Sequence, residues 1–198
     1  MLYTSKELTE KYNNFYAINQ LLKDGKIFKV AHGIYSDVDP CLAELECLFA
    51  QYPNAILSMQ SAYAFYGLTD YIPEKYWVAT KQNAHKISSD KVSQMFITGD
   101  IFDIGKQIVT TKYGTINIYD KERLLVELFR LKSKFEYSFF KEVINSYRKL
   151  ASNGELDNYK IAKYCSIFRN GKSIMAEIQK VILWRQLKRC LSNWSQKV

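Results

Sequence analysis

Only two histidines and four cysteines occur in this 198-residue chain. Cys41, Cys47, Cys165 and Cys190 share no C-x-x-C spacing, which leaves no ligand set for a structural zinc. They read as reduced thiols of a cytoplasmic protein. No apolar run approaches the roughly 18 residues of a membrane span. No basic start followed by an apolar block opens the chain, so no secretion signal is expected. Internal repeats and low-complexity tracts are also missing. What is present is a 47% apolar composition with fifteen Tyr and eleven Phe, enough for an aromatic-rich core. The length suits one large domain or two small ones.

The first 35 residues carry the sharpest pattern. Thr4-Ser5-Lys6-Glu7 is a capping box, a hydroxyl and a carboxylate three residues apart that satisfy each other's free backbone N–H groups. It opens a helix to about Tyr12. Asn13-Asn14 breaks it and can cap the next helix. That helix puts Phe15, Ile18, Leu21 and Leu22 on one face and stops at Gly25. Ile27–Val30 and Ile34-Tyr35 then form a hairpin around His32-Gly33. Helix, tight turn, helix and hairpin make the order of a winged helix-turn-helix, whose second helix enters the major groove.

Spacing then assigns roles. Tyr16, Asn19, Gln20 and Lys23 fall outside the packed face, and Asn13 and Asn14 stand at the start of the helix. Asn and Gln can pair with adenine edges, and Lys can reach phosphate. Lys26, Lys29 and His32 fall in the wing. The competing reading is an ordinary solvated helix face, and for His32 a surface histidine.

The net charge of +8 is uneven. Residues 1–40 are neutral, 41–120 carry −2 and 121–198 carry +10. A neutral winged helix binds DNA weakly alone, because phosphate contacts supply most non-specific affinity. It either dimerises on DNA, or borrows the basic carboxy-terminal part, or does not read DNA. Candidate basic surface residues are Arg123, Arg130 and Lys134, with Lys180, Arg185, Lys188 and Arg189 further on.

Beyond the wing, a helix is expected over 41–51 and packing against the first unit, since about 40 residues are marginal alone. A short extended run at 55–57 and a Ser58-capped helix to Tyr66 follow. Strands are expected at 77–80, 95–98, 106–111 and 115–119. Helices are expected at 121–132 (capped by Asp120), 135–151, 157–169 (capped by Asp157) and 173–194. The expected class is α+β. It comprises a winged helix-turn-helix over 1–40, and over 41–198 a small, mostly antiparallel sheet with helices and a helical group at the end.

Three stretches in this order resemble the AbiEi family, the antitoxins of type IV toxin–antitoxin and abortive-infection systems. The pattern L-x-x-G-x-I/L-x-R-V-x-x-G-V-Y is met by Leu22, Gly25, Ile27, Lys29, Val30, Gly33, Ile34 and Tyr35. L-S-x-x-S-A-L-x-x-x-G-L-T is met by Leu57, Ser58, Ser61, Ala62, Gly67, Leu68 and Thr69, with Tyr63 in place of the second Leu. S-P-E-R-T-L-V-D appears as Asp120-Lys121-Glu122-Arg123-Leu124-Leu125-Val126-Glu127. The family's winged helix has a further helix ahead of the pair seen here, and basic residues where this chain has Ala31-His32. The resemblance implies a phage-defence repressor that binds promoter repeats as double-stranded DNA through the winged helix. It further implies that the carboxy-terminal part counters a nucleotidyltransferase-type toxin without a stable complex. No enzyme activity, cofactor or metal is expected.

Other motifs carry less. Asn170-Gly171-Lys172-Ser173 resembles the end of a phosphate-binding loop, but Ser166 stands where that loop needs Gly. The plain reading is a helix stop followed by a Ser173 cap. Arg123, Glu127, Arg130 and Lys134 recur at helical spacing, as a solvated stripe or as a contact surface for nucleic acid or an acidic partner. Asp120, Glu122 and Glu127 are carboxylates at poor spacing for a metal-dependent nuclease. The alternatives are a stand-alone winged-helix regulator without a toxin, or a nucleic-acid-processing enzyme.

Overall fold

The computed structural model describes residues 1–183, with the side chains of Phe15 and Leu183 outside that description. Arg185, Lys188 and Arg189, and the expected helix beyond 183, also lie outside the described residues. The class is α+β.

The chain begins with a short strand, β1 (Leu2–Thr4), followed by α1 (Ser5–Tyr12) and α2 (Phe15–Lys23). The capping box at Thr4 forms: the Thr4 N–H donates to Glu7 Oε2 at 2.7 Å, and the Glu7 N–H donates to Thr4 Oγ1 at 3.3 Å. The bond from Thr4 holds the exposed Glu7 carboxyl below its ordinary range. Asn13 ends α1 in the left-handed region at φ 51°, its N–H bonded to Thr9 O. Strands β2 (Phe28–Ala31) and β3 (Ile34–Ser36) meet at His32-Gly33. Gly33 has φ +74° and Gly25, past the end of α2, has φ +66°, conformations that carry little cost only without a Cβ. β3 pairs antiparallel with both β1 and β2, giving a three-stranded sheet of order β1–β3–β2. β1 was not expected, because three residues merging into a capping box show no alternation.

Next come α3 (Glu44–Gln51), β4 (Ile56–Leu57), α4 (Met59–Phe65), β5 (Tyr76–Lys81), β6 (Val92–Ile97) and α5 (Gly99–Phe102). They are followed by β7 (Lys106–Thr110), β8 (Thr115–Tyr119), α6 (Lys121–Arg130), α7 (Tyr137–Ser152), α8 (Asn158–Ser166) and α9 (Gly171–Ile178). A five-stranded sheet has the order β6–β5–β4–β8–β7. Here a mostly antiparallel sheet was expected, yet β5 and β6 run parallel, with Tyr76 opposite Val92 and Lys81 opposite Ile97. The connection over 82–91 crosses back to the starting end instead of turning tightly, and only a crossover can join neighbouring parallel strands.

The chain divides into two compact units, one of residues 1–56 and 108–118, the other of 57–107 and the chain from 119 on. The first unit thus holds the segment 1–40 together with α3 and a later hairpin. The amino-terminal part of this unit packs on Leu8, Ile18 and Ile27, with Tyr3, Tyr12, Leu21, Leu22 and Tyr35 around them. Each fully buried aliphatic side chain is worth ~1.5–3 kcal/mol, so this trio alone makes a small core. α3 is tied to other parts of the same unit by hydrogen bonds: Gln51 Nε2 donates to Val30 O at 3.3 Å, and buried Glu46 accepts from the Thr111 hydroxyl.

The second unit is built around α6, whose residues 122–129 are all buried. Tyr63 of α4 donates to Leu124 O at 2.9 Å, and Tyr147 of α7 donates to Lys121 O at 2.8 Å. Both phenols are fully buried, and burial pushes their ionisation well up. Phe135 and Phe139 meet the Tyr63 ring edge-on at 6.0 Å. Ser58 occupies the cap position of α4 but makes no side-chain cap bond; Met59 follows at φ 50°. Ser173 is not a cap either. α9 starts at Gly171, where a Cβ would fall 1.7 Å from Cys165 O, so glycine allows α9 to begin against the end of α8. Among the described residues, no helix is long and apolar enough to cross a membrane.

Candidate nucleic-acid interface

α2 begins at an Asn14 cap, with Tyr16 N–H donating to Asn14 Oδ1 at 2.9 Å. Ile18 is 2% exposed and Leu21 and Leu22 are half-buried, which fixes the rotation of the helix. The opposite face is open. Asn13, Asn14, Tyr16, Asn19, Gln20 and Lys23 are exposed, as are Lys26, Lys29 and His32 of the following turn and hairpin. Tyr16 shows 75% of its surface.

These nine residues differ in what they are free to do. Asn13 is spent on ending α1 and Asn14 on capping α2. Gln20 Nε2 donates to Asp24 Oδ1 at 3.1 Å, and Lys26 Nζ stands 3.9 Å from Asp24 Oδ2. Asp24 therefore holds one base-reading candidate and one phosphate-reading candidate at once. The sequence pattern did not single it out. Gln at i and Asp at i+4 was the available signal.

The basic stripe expected on α6 does not form. Arg123 is wholly buried and Glu127 is 3% exposed. Arg123 Nε and Nη2 donate to Glu127 Oε1 at 3.1 and 2.7 Å, while Arg130 Nε donates to Glu127 Oε2 at 2.6 Å. The Arg123 guanidinium lies over the Tyr119 and Phe168 rings at 5.2 and 5.1 Å, and Arg130 lies over Phe168 at 5.1 Å. A helix buried on all sides must neutralise its charges internally, which is why Arg123 is removed from any surface. α6 stops at Arg130, so Lys134 sits in a separate 3-10 turn (Lys132–Lys134) and not on the same helix. Lys134 and Lys180 are exposed, and Arg130 is partly so.

The carboxylates considered for metal chemistry have structural partners. Asp120 Oδ1 accepts from Arg123 N–H at 2.8 Å, and Asp120 Oδ2 accepts from the Tyr164 hydroxyl at 2.8 Å. Glu122 Oε1 accepts from Asp157 N–H at 3.0 Å. Burial, reinforced by the bond to Asp120, drives the Tyr164 phenol well above its ordinary value. Among the described residues, no group of three or more His, Cys, Asp or Glu side chains is placed to hold a metal ion.

No family model matches the sequence, and no curated protein matches it. Among solved structures, the chain is similar to the crystal structure of the RV2827C protein from Mycobacterium tuberculosis, with a TM-score of 0.58. The likeness covers 89% of this chain and 71% of that chain at 15% identity, and is one of fold.

Proposed function

We propose that this protein is a DNA-binding repressor and the antitoxin of a type IV toxin–antitoxin pair. The observation that carries the DNA-binding part is the β1–α1–α2–β2–β3 order with sheet order β1–β3–β2. A winged helix-turn-helix places a strand ahead of the helix pair beside the second strand of the wing, and presents the second helix to the major groove. Open polar side chains on α2 support this. So do Gly25 and Gly33, the two glycines of the wing motif, both in left-handed backbone. The antitoxin part rests on the resemblance in the motifs at 57–69 and 120–127. In this reading the protein works in the cytoplasm, binds inverted promoter repeats as a dimer, and opposes a nucleotidyltransferase-type toxin without a stable complex.

The test is a mobility shift with the full chain and the promoter of its own gene. Wild type is expected to prefer the promoter repeat over random duplex, and Asn19→Ala/Gln20→Ala to lose that preference while keeping its circular dichroism spectrum. Equal affinity of both proteins for the repeat would remove the assignment to α2. In parallel, the folded double mutant is expected to rescue cells expressing the cognate toxin.

A further inference from the structure

The first arginine in the sequence is Arg123, so the unit of residues 1–56 and 108–118 has no guanidinium at all. This matters for base choice. Guanine offers two acceptors, O6 and N7, to the major groove, and its commonest partners are the Arg fork and the Lys ammonium. The lysine on the open face of α2 is Lys23, the last residue of the helix. Helices of this kind bring their amino-terminal part to base edges. Lys23 falls toward the backbone instead, where it can meet phosphate.

What α2 presents ahead of Lys23 is different in kind. Tyr16, Asn19 and Gln20 stand at i, i+3 and i+4, on one helix face. The Asn19 side chain is exposed and, among the described residues, has no hydrogen-bond partner. A carboxamide matches adenine, accepting from N6–H and donating to N7. The exposed Tyr16 ring offers an apolar surface to the thymine methyl. Gln20 is chemically equivalent to Asn19, but its amide N–H is held by Asp24. Asp24 could accept from cytosine N4, yet it lies past the carboxy-terminal end of the helix with Gln20 and Lys26 beside it.

We infer that α2 selects duplex DNA by adenine–thymine pairs, with Asn19 reading an adenine edge and Tyr16 lying against a neighbouring thymine methyl. The inference rests on the reading of α2 as the DNA-reading helix and adds the base class that reading leaves open. It makes Asn19 the residue that sets specificity.

The test uses the full chain and a library of random-sequence duplexes, with recovery and sequencing of the bound fraction. Enrichment of a half-site centred on A·T pairs is expected. Replacing its contacted adenine by 7-deazaadenine, which removes N7, is expected to weaken wild-type binding about tenfold, within the range for one bidentate base contact. Asn19→Ala is expected to bind more weakly and to be insensitive to that replacement. Enrichment of a G·C-centred half-site would overturn the inference and leave the DNA-binding reading standing. An A·T motif whose deaza replacement affects wild type and Asn19→Ala equally would overturn the role of Asn19. Binding without any enrichment, binding to single-stranded RNA alone, or no binding would overturn both the inference and the reading beneath it.

Discussion

Arg123 and Glu127, one turn apart on α6, form a fully buried ion pair whose carboxylate is shared with Arg130. Such a pair gains little over apolar residues of equal volume, but breaking it strands a charge in the interior. Glu127→Ala leaves two guanidiniums facing each other, and one of them, Arg123, has no route to water. A loss of ~3–5 kcal/mol is expected, read as a lower urea midpoint by far-ultraviolet circular dichroism. Arg123→Met/Glu127→Leu removes both charges and is expected to unfold at higher urea than Glu127→Ala. An unchanged midpoint for Glu127→Ala would show that the pair does not carry this weight.

That pair also shows where the sequence was silent. The spacing of Arg123, Glu127, Arg130 and Lys134 fits one helix face, and such a stripe is ordinarily solvated or a contact surface. Burial comes from Tyr119, Phe168 and α8, brought in from elsewhere in the chain, and no local pattern encodes them. Gly105 belongs to the same long-range arrangement. Its φ is +76° and a Cβ there would come within 2.6 Å of Arg123 Cβ, so glycine at 105 makes room for a residue 18 positions later. The amino-terminal unit was far more legible. Its caps, its breaks at Asn13-Asn14 and Gly25, and its hairpin turn at Gly33 are set by neighbours in sequence. The open face of α2 followed from the positions of Ile18, Leu21 and Leu22. The clamp at Asp24 and the parallel β5–β6 pairing depend on side-chain choice and on the path of a loop, which periodicity does not specify.

Alkaline pH gives a second handle on the carboxy-terminal unit. Burial pushes the Tyr66 phenol from 10.0 to about 12, with Asp120 and Glu122 adding to the rise and the hydrogen bond from Gln107 opposing it. The unfolded chain therefore sheds this proton first, near pH 10, while the folded chain keeps it to about pH 12. Stability from the neutral phenol is complete below pH 10 and is lost as the pH climbs toward 12. Tyr66→Phe also gives up the bond to Tyr119 O, so it is expected to be less stable at pH 8 but to lose stability less steeply above pH 10. Urea midpoints measured in steps from pH 8 upward check this. Parallel curves for the two proteins would refute it.

Asp24 is expected to restrain DNA binding. Its carboxylate accepts from Gln20 Nε2 and lies beside Lys26, and it puts a negative charge next to the face that the proposed function assigns to DNA. Asp24→Asn removes that charge, loosens Lys26 and keeps a side chain of the same size, so the end of α2 is preserved. The backbone bond from Asp24 N–H to Gln20 O, which closes the helix, is untouched by the change. Affinity for operator and random duplex is expected to rise several-fold at low salt, since one more cation can then displace a counterion from DNA. The steeper salt dependence separates this from a gain in base contacts: one additional phosphate contact makes the slope of log affinity against log salt more negative by about 1. Fluorescence anisotropy across a salt series on both duplexes gives the two quantities together. A fall in affinity, or no change in either affinity or slope, would place the Asp24 carboxylate away from the DNA and leave its bond to Gln20 as a feature of the helix end alone.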